Sequence, residues 1–111
     1  MNVILLPEVQ AYFRNLVIIL YDKEYFSFKD SAKKYVDELL DDILMTLPTR
    51  PHKPAPKYFD KYGKDMEYAV FTKNKRTSWY VLFTTYEDEE TGEDIFLIRF
   101  IGNNHTVSQY L

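Results

Sequence analysis

Three short apolar runs, separated by two polar loops, occupy the second half of the chain and constrain its fold most strongly. They span residues 66–72, 79–86 and 95–101 and are rich in Val, Ile, Phe, Tyr, Trp and Thr. These residue types suit the pleated, partly buried surface of a strand. Because the loops between the runs are short, the sequence predicts three antiparallel strands joined as a meander.

The first half of the chain carries helical patterns behind one more predicted strand. Residues 2–6 are apolar and end at Pro7, which suits the first turn of a helix because its missing N–H costs nothing there. Apolar residues then recur at helical spacing from residue 8 to about residue 21. A second amphipathic helix is predicted from an N-cap at Ser27, paired with Asp30, to about residue 47, where Pro48 ends it.

The loop between the two predicted helices is short enough to make an αα-hairpin. Strand alternation places Trp79, Val81 and Phe83 on one face of the sheet and Tyr80 on the other. We expect the hairpin to bury the first face and to leave Tyr80 on the open one. The predicted fold is a single α+β domain, residues 1–111, with the order β-α-α-β-β-β, a mainly antiparallel sheet and a short C-terminal tail.

Composition excludes several classes of site. The chain has no cysteine and only two histidines, which excludes disulfides, thiolate zinc sites and cysteine nucleophiles and argues against a histidine-rich metal site. No apolar run reaches the roughly 18 residues that indicate a membrane span. The N-terminus lacks a basic leader followed by a small-residue cleavage site. We therefore expect a cytoplasmic protein without membrane contact and without a cofactor.

Charge is distributed unevenly along the chain. Residues 48–76 hold eight Lys or Arg and three acidic residues, a net charge of +5, whereas the whole chain carries −3. A basic loop with aromatic residues could bind RNA, with its cations on phosphates and its rings stacked on bases. The alternative is a solvated connection whose aromatic side chains cap the core. The RNA-binding candidates are Arg50, Lys53, Lys57, Tyr58, Lys61 and Lys64.

A polar corner, Gly102, Asn103, Asn104 and His105, directly follows the third predicted strand. An imidazole can act as a general acid or base near neutral pH, so His105 is a catalytic candidate. The alternative is a polar turn in which Gly and Asn supply positive φ angles.

Arg99 interrupts the apolar pattern of the last predicted strand. Alternation places it on the same face as Ile95, Leu97 and Ile101. An arginine in this position could stabilise the charge on a phosphate, or it could pair with a carboxylate at the margin of the sheet.

Two segments carry a family resemblance, namely residues 74–80 (NKRTSWY) and 101–105 (IGNNH). With the predicted order of elements, they make the chain resemble the RelE/ParE superfamily of bacterial toxins from type II toxin–antitoxin systems. The resemblance implies a cognate antitoxin as partner. It also implies one of two activities: metal-independent cleavage of mRNA on the ribosome by attack of the 2′-hydroxyl, or inhibition of DNA gyrase. A folded remnant that keeps only antitoxin binding is a third hypothesis.

The resemblance also implies a site. His105 falls where some ribosome-dependent members have a catalytic histidine, and Tyr110 falls near the C-terminal tyrosine of others. Tyr80 stands where the middle strand often carries an arginine, which favours the gyrase alternative. For ribonuclease activity we expect His105 or a lysine to take the 2′-hydroxyl proton, with Arg99 and Arg76 on the phosphate and Tyr110 orienting the substrate. The expected site combines Arg76, Tyr80, Arg99, His105 and Tyr110 at the C-terminal end of the last strand. A basic segment of the antitoxin is expected to meet the acidic outer face of the second helix, made of Asp37, Glu38, Asp41 and Asp42.

Overall fold

The chain forms a five-stranded mixed sheet with a helical hairpin on one face, so the α+β class is confirmed. The computed structural model describes residues 2–23, 28–73 and 75–111. The predicted N-cap Ser27 and Asn74 of the first motif lie outside these residues. The elements are β1 (Asn2–Leu5), α1 (Pro7–Asp22), α2 (Lys29–Thr46), β2 (Lys53–Pro54), β3 (Glu67–Thr72), β4 (Ser78–Glu87), β5 (Asp94–Asn103) and α3 (Asn104–Val107).

The strands lie in the order β1-β5-β4-β3-β2. The meander of β3, β4 and β5 is antiparallel as predicted, and β1 joins its outer edge parallel to β5. Strand β2 was not predicted, since it has two residues and one of them is proline. Proline is tolerated there because β2 is an edge strand, which pairs only with β3.

The helical hairpin buries the predicted face of the sheet. Helix α1 begins with Pro7 at its first turn, and the α-helical part of α2 ends just before a 3₁₀ turn that contains Pro48. Trp79 is 1% exposed, and its indole N–H donates a hydrogen bond to the Tyr35 hydroxyl of α2 at 2.9 Å. This core also holds Val81 and Phe83, so the predicted face assignment is confirmed. Its helical members are Val9, Phe13, Leu16, Leu20, Ala32, Val36, Leu39 and Ile43.

A β-bulge in β5 corrects the predicted alternation. Leu82 pairs with Phe100, whereas the next residue, Phe83, pairs with Ile98, so Arg99 is an extra residue in β5. A bulge shifts the alternation of side chains by one position. Arg99 lies on the open face, where it bonds Thr84 and Tyr86, which are the cross-strand partners of Leu97 and Ile95. Ile101 instead lies in the core beneath the helical hairpin. The prediction that Ile101 shares the face of Arg99 is wrong for this reason.

A second, smaller core covers part of the other sheet face. Phe59, Met66, Leu82 and Val107 are buried there and pack with half-buried Tyr80. Phe59 comes from a 3₁₀ turn, Lys57–Lys61, and Val107 comes from α3. The proline-rich loop and the C-terminal segment are thus part of the packed structure. Within the described residues, no helix has the length and apolar character that crossing a bilayer requires.

Candidate functional site

Arg99 is held on the open face by two hydroxyl groups of β4. Its Nε donates to the Thr84 Oγ1 at 3.0 Å, and one terminal nitrogen donates to the Tyr86 hydroxyl at 2.7 Å. Two hydrogen bonds lower the pKa of Tyr86 below its ordinary value of 10.0, of which the bond with Thr84 has the larger effect and the bond with Arg99 the smaller. Arg99 was expected to meet either a phosphate or a carboxylate. Its partners within the protein are two hydroxyls, and the contact with a phosphate stays a prediction.

Gly63 allows the Arg99 side chain to lie where it does. A Cβ at position 63 would stand 2.6 Å from the Arg99 Cδ, which is closer than real carbon contacts. The loop that carries Gly63 therefore packs directly on the aliphatic part of Arg99. Glycine at this position keeps the guanidinium group beside Tyr86.

A second cation, Lys61, lies among aromatic side chains on the same face. Its Nζ donates to the Tyr58 hydroxyl at 3.1 Å and stands 4.2 Å from the centre of the Tyr58 ring. Tyr110 stacks on Tyr58 with ring centres 3.6 Å apart and planes 3° from parallel. Two hydrogen bonds lower the pKa of Tyr58, of which the bond with Tyr110 has the larger effect and the bond with Lys61 the smaller. The same bond with Tyr58 raises the pKa of Tyr110.

Arg99 and Lys61 line the same cavity. We call it the edge cavity, because it follows the edge of β5 beyond the last residue paired with β1. Its volume is about 550 Å³, and Lys61 and Arg99 line it together with Tyr62. Tyr62 stacks on Phe100, with ring centres 4.4 Å apart. The cavity thus combines two positive charges with an aromatic wall, a combination that suits a nucleic-acid phosphate and its base. Its other lining residues are Leu6, Glu8, Val9, Tyr12, Phe100, Ile101, Gly102 and Thr106.

The polar corner has structural roles that its sequence did not indicate. Strand β5 continues through Asn103, whose side chain caps α3 by accepting a hydrogen bond from the His105 backbone N–H at 2.9 Å. Asn104 accepts from the Ser78 backbone N–H and donates to the Arg76 carbonyl, so it ties α3 to the loop between β3 and β4. The expected positive φ angles are wrong here, since those of the described chain are at Gly63, Asp65 and Gly92. Gly102 is needed for contact, because a Cβ there would lie 2.7 Å from the Val107 Cγ1.

His105 faces a different cavity from Arg99. This helix-side cavity has a volume of about 480 Å³ and lies between the helical hairpin and the start of β4. Tyr12 and Thr106 line both cavities, so the two adjoin at these residues. His105 and Arg99 therefore lie near the same end of β5 but open onto separate spaces.

The other expected site residues lie in different parts of the structure. Tyr110 joins the Lys61 cluster, whereas Tyr80 is half-buried in the second core with its ring centre 6.0 Å from that of Tyr68. Arg76 lies exposed in the loop that Asn104 braces. The structure thus brings Arg99, Lys61 and the Tyr58–Tyr110 stack to the open face. It packs Tyr80 into the second core of that same face and places Arg76 and His105 elsewhere.

Arg50, the first RNA-binding candidate, is occupied by contacts inside the protein. Its guanidinium donates to the Thr46 hydroxyl, to the Val70 carbonyl and to the Asp42 carboxylate at 2.9 Å. It also lies 3.9 Å from the centre of the Phe71 ring. The remaining basic candidates, Lys53, Lys57, Lys61 and Lys64, are exposed.

Sequence reasoning missed Thr84, Tyr86 and Gly63. Tyr86 and Thr84 were assigned only as strand residues, and the register of β4 against β5 that places them beside Arg99 has no sequence signature of its own. Among the described residues, no cluster of three or more His, Asp or Glu side chains could hold a metal ion.

Comparisons with known proteins add no relative to this account. No family model matches the chain, and neither the curated proteins nor the solved structures contain a match. Membership in the RelE/ParE superfamily therefore stays a prediction based on residues 74–80 and 101–105 and on the order of the elements.

Proposed function

We propose that this protein is the toxin of a type II toxin–antitoxin pair and acts as a metal-independent mRNA endoribonuclease on the ribosome. The observation that supports this best is the edge cavity. Each of the two cations that line it, Arg99 and Lys61, donates a hydrogen bond to a tyrosine whose pKa is lowered, Tyr86 and Tyr58. Cations can stabilise the charge on a phosphate and ionisable tyrosines can transfer protons, so this set of groups suits such a cleavage.

In the proposed reaction, the ionised form of Tyr86, its phenolate, takes the proton of the RNA 2′-hydroxyl and becomes the neutral phenol. The 2′-oxygen then attacks the adjacent phosphorus, and the bond to the 5′-oxygen of the next nucleotide breaks, which leaves a 2′,3′-cyclic phosphate. Arg99 and Lys61 stabilise the negative charge that develops on the phosphate. Tyr110, whose pKa is raised, stays protonated and supplies a proton to the leaving oxygen. The role of general base, which the resemblance gave to His105 or a lysine, passes to Tyr86 because Tyr86 is hydrogen-bonded to Arg99, which lines the edge cavity, whereas His105 opens onto the other cavity.

The proposed antitoxin covers the helical hairpin. A groove of about 570 Å³ runs between α1 and α2 and is lined by apolar side chains of both helices, including Val17 and Leu40. The acidic face beside it is partly neutralised, because Asp37 pairs with Lys33 at 3.1 Å and Asp42 pairs with Arg50. We therefore assign the contact with a basic antitoxin segment to Glu38 and Asp41. Replacing both residues by lysine should weaken the binding of the antitoxin and reduce the effect of salt on its affinity. An unchanged affinity would contradict the contact.

Expression without the antitoxin tests the function. The protein should arrest growth, and primer extension should map new 5′ ends within translated mRNA. Arg99→Ala should relieve both effects, whereas Lys34→Ala, which changes an exposed lysine of α2, should relieve neither. Growth arrest without mRNA cleavage would refute the ribonuclease and support the gyrase alternative.

A further inference from the structure

The helix-side cavity has features that the proposed reaction does not use. Its floor is the buried Trp79, and half-buried Tyr12 and Tyr35 stand at its sides. Lys23 and His105 lie at its rim, and both are exposed. The space therefore combines aromatic walls with basic groups at the opening.

This combination matches one nucleotide better than a purely apolar ligand. A base is a flat aromatic group that packs against tyrosine rings, and its phosphate carries the negative charge that lysine and histidine bind. A volume of about 480 Å³ lies within the range of small-molecule sites, roughly 300–1,000 Å³. The basic rim adds an attraction for an anion that a purely apolar ligand would not use.

The position of the cavity relates it to the proposed cleavage site. Tyr12 and Thr106 line both the helix-side cavity and the edge cavity. A strand of RNA whose phosphate meets Arg99 and Lys61 could thus place a neighbouring base behind Tyr12. Single-stranded RNA is commonly recognised in this way, through bases turned out of the stack.

We propose that the helix-side cavity is a nucleobase pocket that binds one nucleotide of the RNA and sets the base preference of cleavage. The inference rests on the proposed function for its substrate, but its binding site is separate. Tyr12, Tyr35 and Trp79 enclose the base, and Lys23 and His105 bind its phosphate.

The chain supplies its own probe for this pocket. Trp79 is the only tryptophan and forms the floor, so its fluorescence reports occupancy. The experiment titrates the protein with AMP, GMP, CMP and UMP in turn. We expect a saturable change in emission with at least one of them and a different affinity for purines and pyrimidines. Lys23→Ala should weaken that binding about tenfold, and Ile19→Phe, a change at the partly exposed edge of the cavity, should weaken it by narrowing the space.

Matched variants separate this inference from the proposed function. Lys34→Ala removes an exposed lysine of α2 that does not line the helix-side cavity and should leave nucleotide binding unchanged. If the wild type cleaves mRNA but binds none of the four nucleotides and cleaves without base preference, the pocket is refuted and the ribonuclease stands. If a nucleotide binds through Lys23 but no RNA is cleaved, the proposed function fails and the substrate assigned to the pocket fails with it.

Discussion

Arg50 offers a test of whether the basic loop is an RNA surface throughout. Its guanidinium makes three hydrogen bonds, including the one to Asp42, and the side chains of this ion pair are 30% and 35% exposed. Hydrogen bonds that involve a charged group contribute about 1.5–3 kcal/mol each when they are buried, and a partly exposed ion pair contributes less than about 1 kcal/mol. The contact with the Phe71 ring adds about 0.5 kcal/mol. Since the group is partly solvated, we expect Arg50→Ala to lower the free energy of unfolding by about 2–4 kcal/mol.

Thermal and urea unfolding measure this cost. A loss of this size should lower the Tm by about 10–15 °C in a chain of this length. Arg50→Lys keeps the charge but cannot reproduce the planar fork of donors, so it should recover only part of the loss. Lys53→Ala, an exposed neighbour in β2, should change the free energy of unfolding by less than about 0.5 kcal/mol.

RNA binding provides the second half of the test. At a temperature where each variant is folded, Arg50→Ala should bind RNA as the wild type does, whereas Lys61→Ala should bind more weakly and with a smaller salt dependence. The assignment would be refuted if Arg50→Ala melted with the wild type, or if it weakened RNA binding as much as Lys61→Ala.

Three further predictions follow from buried and hydrogen-bonded rings. Trp79→Ala should lower the free energy of unfolding by about 3–5 kcal/mol in urea melts, because Trp79 is buried and bonded to Tyr35; a loss below about 1 kcal/mol would contradict the core assignment. The cleavage rate should rise with pH into the alkaline range, up to the lowered pKa of Tyr86, and Tyr86→Phe should abolish that rise; a plateau by about pH 8 would instead indicate an imidazole base. Burial raises the pKa of Tyr12 above 10.0, so the stability that its neutral hydroxyl contributes is present below pH 10.0 and is lost as the pH rises through the folded-state pKa. Stability measured above pH 10.0 should therefore fall less steeply in Tyr12→Phe, and an unchanged slope would count against that burial.

The sequence predicted the meander and the helical hairpin because periodicity reports directly which side chains face the core. Trp79, Val81 and Phe83 alternate along one strand and so share one face of the sheet. That apolar face was the one expected to pack against the two amphipathic helices. The two-residue strand β2 and the four-residue helix α3 escaped prediction because they are too short to show a period. Their formation depends on packing, as when Val107 of α3 docks on Gly102.

The candidate site was less predictable because the register of the strands and one bulge decide it. Alternation placed Arg99 on the face of Ile95 and Leu97, but only the register of β4 against β5 shows that Thr84 and Tyr86 lie beside it. The bulge at Arg99 changes no composition and no local propensity, yet it reverses the alternation for Ile101. Long-range partners were equally hidden. Nothing local to Arg50 indicates that it bonds Asp42, whose own assignment to the antitoxin surface is weakened by that pair.

The most direct test of the central claim uses purified protein, translating ribosomes and a defined mRNA. We predict cleavage that leaves a 2′,3′-cyclic phosphate, that stops when the scissile nucleotide is 2′-deoxy, and that falls about 10²–10³-fold in Arg99→Ala. Circular dichroism of Arg99→Ala should confirm that the variant is folded. Intact mRNA with the wild-type protein, or equal cleavage of the 2′-deoxy substrate, would contradict the proposed function.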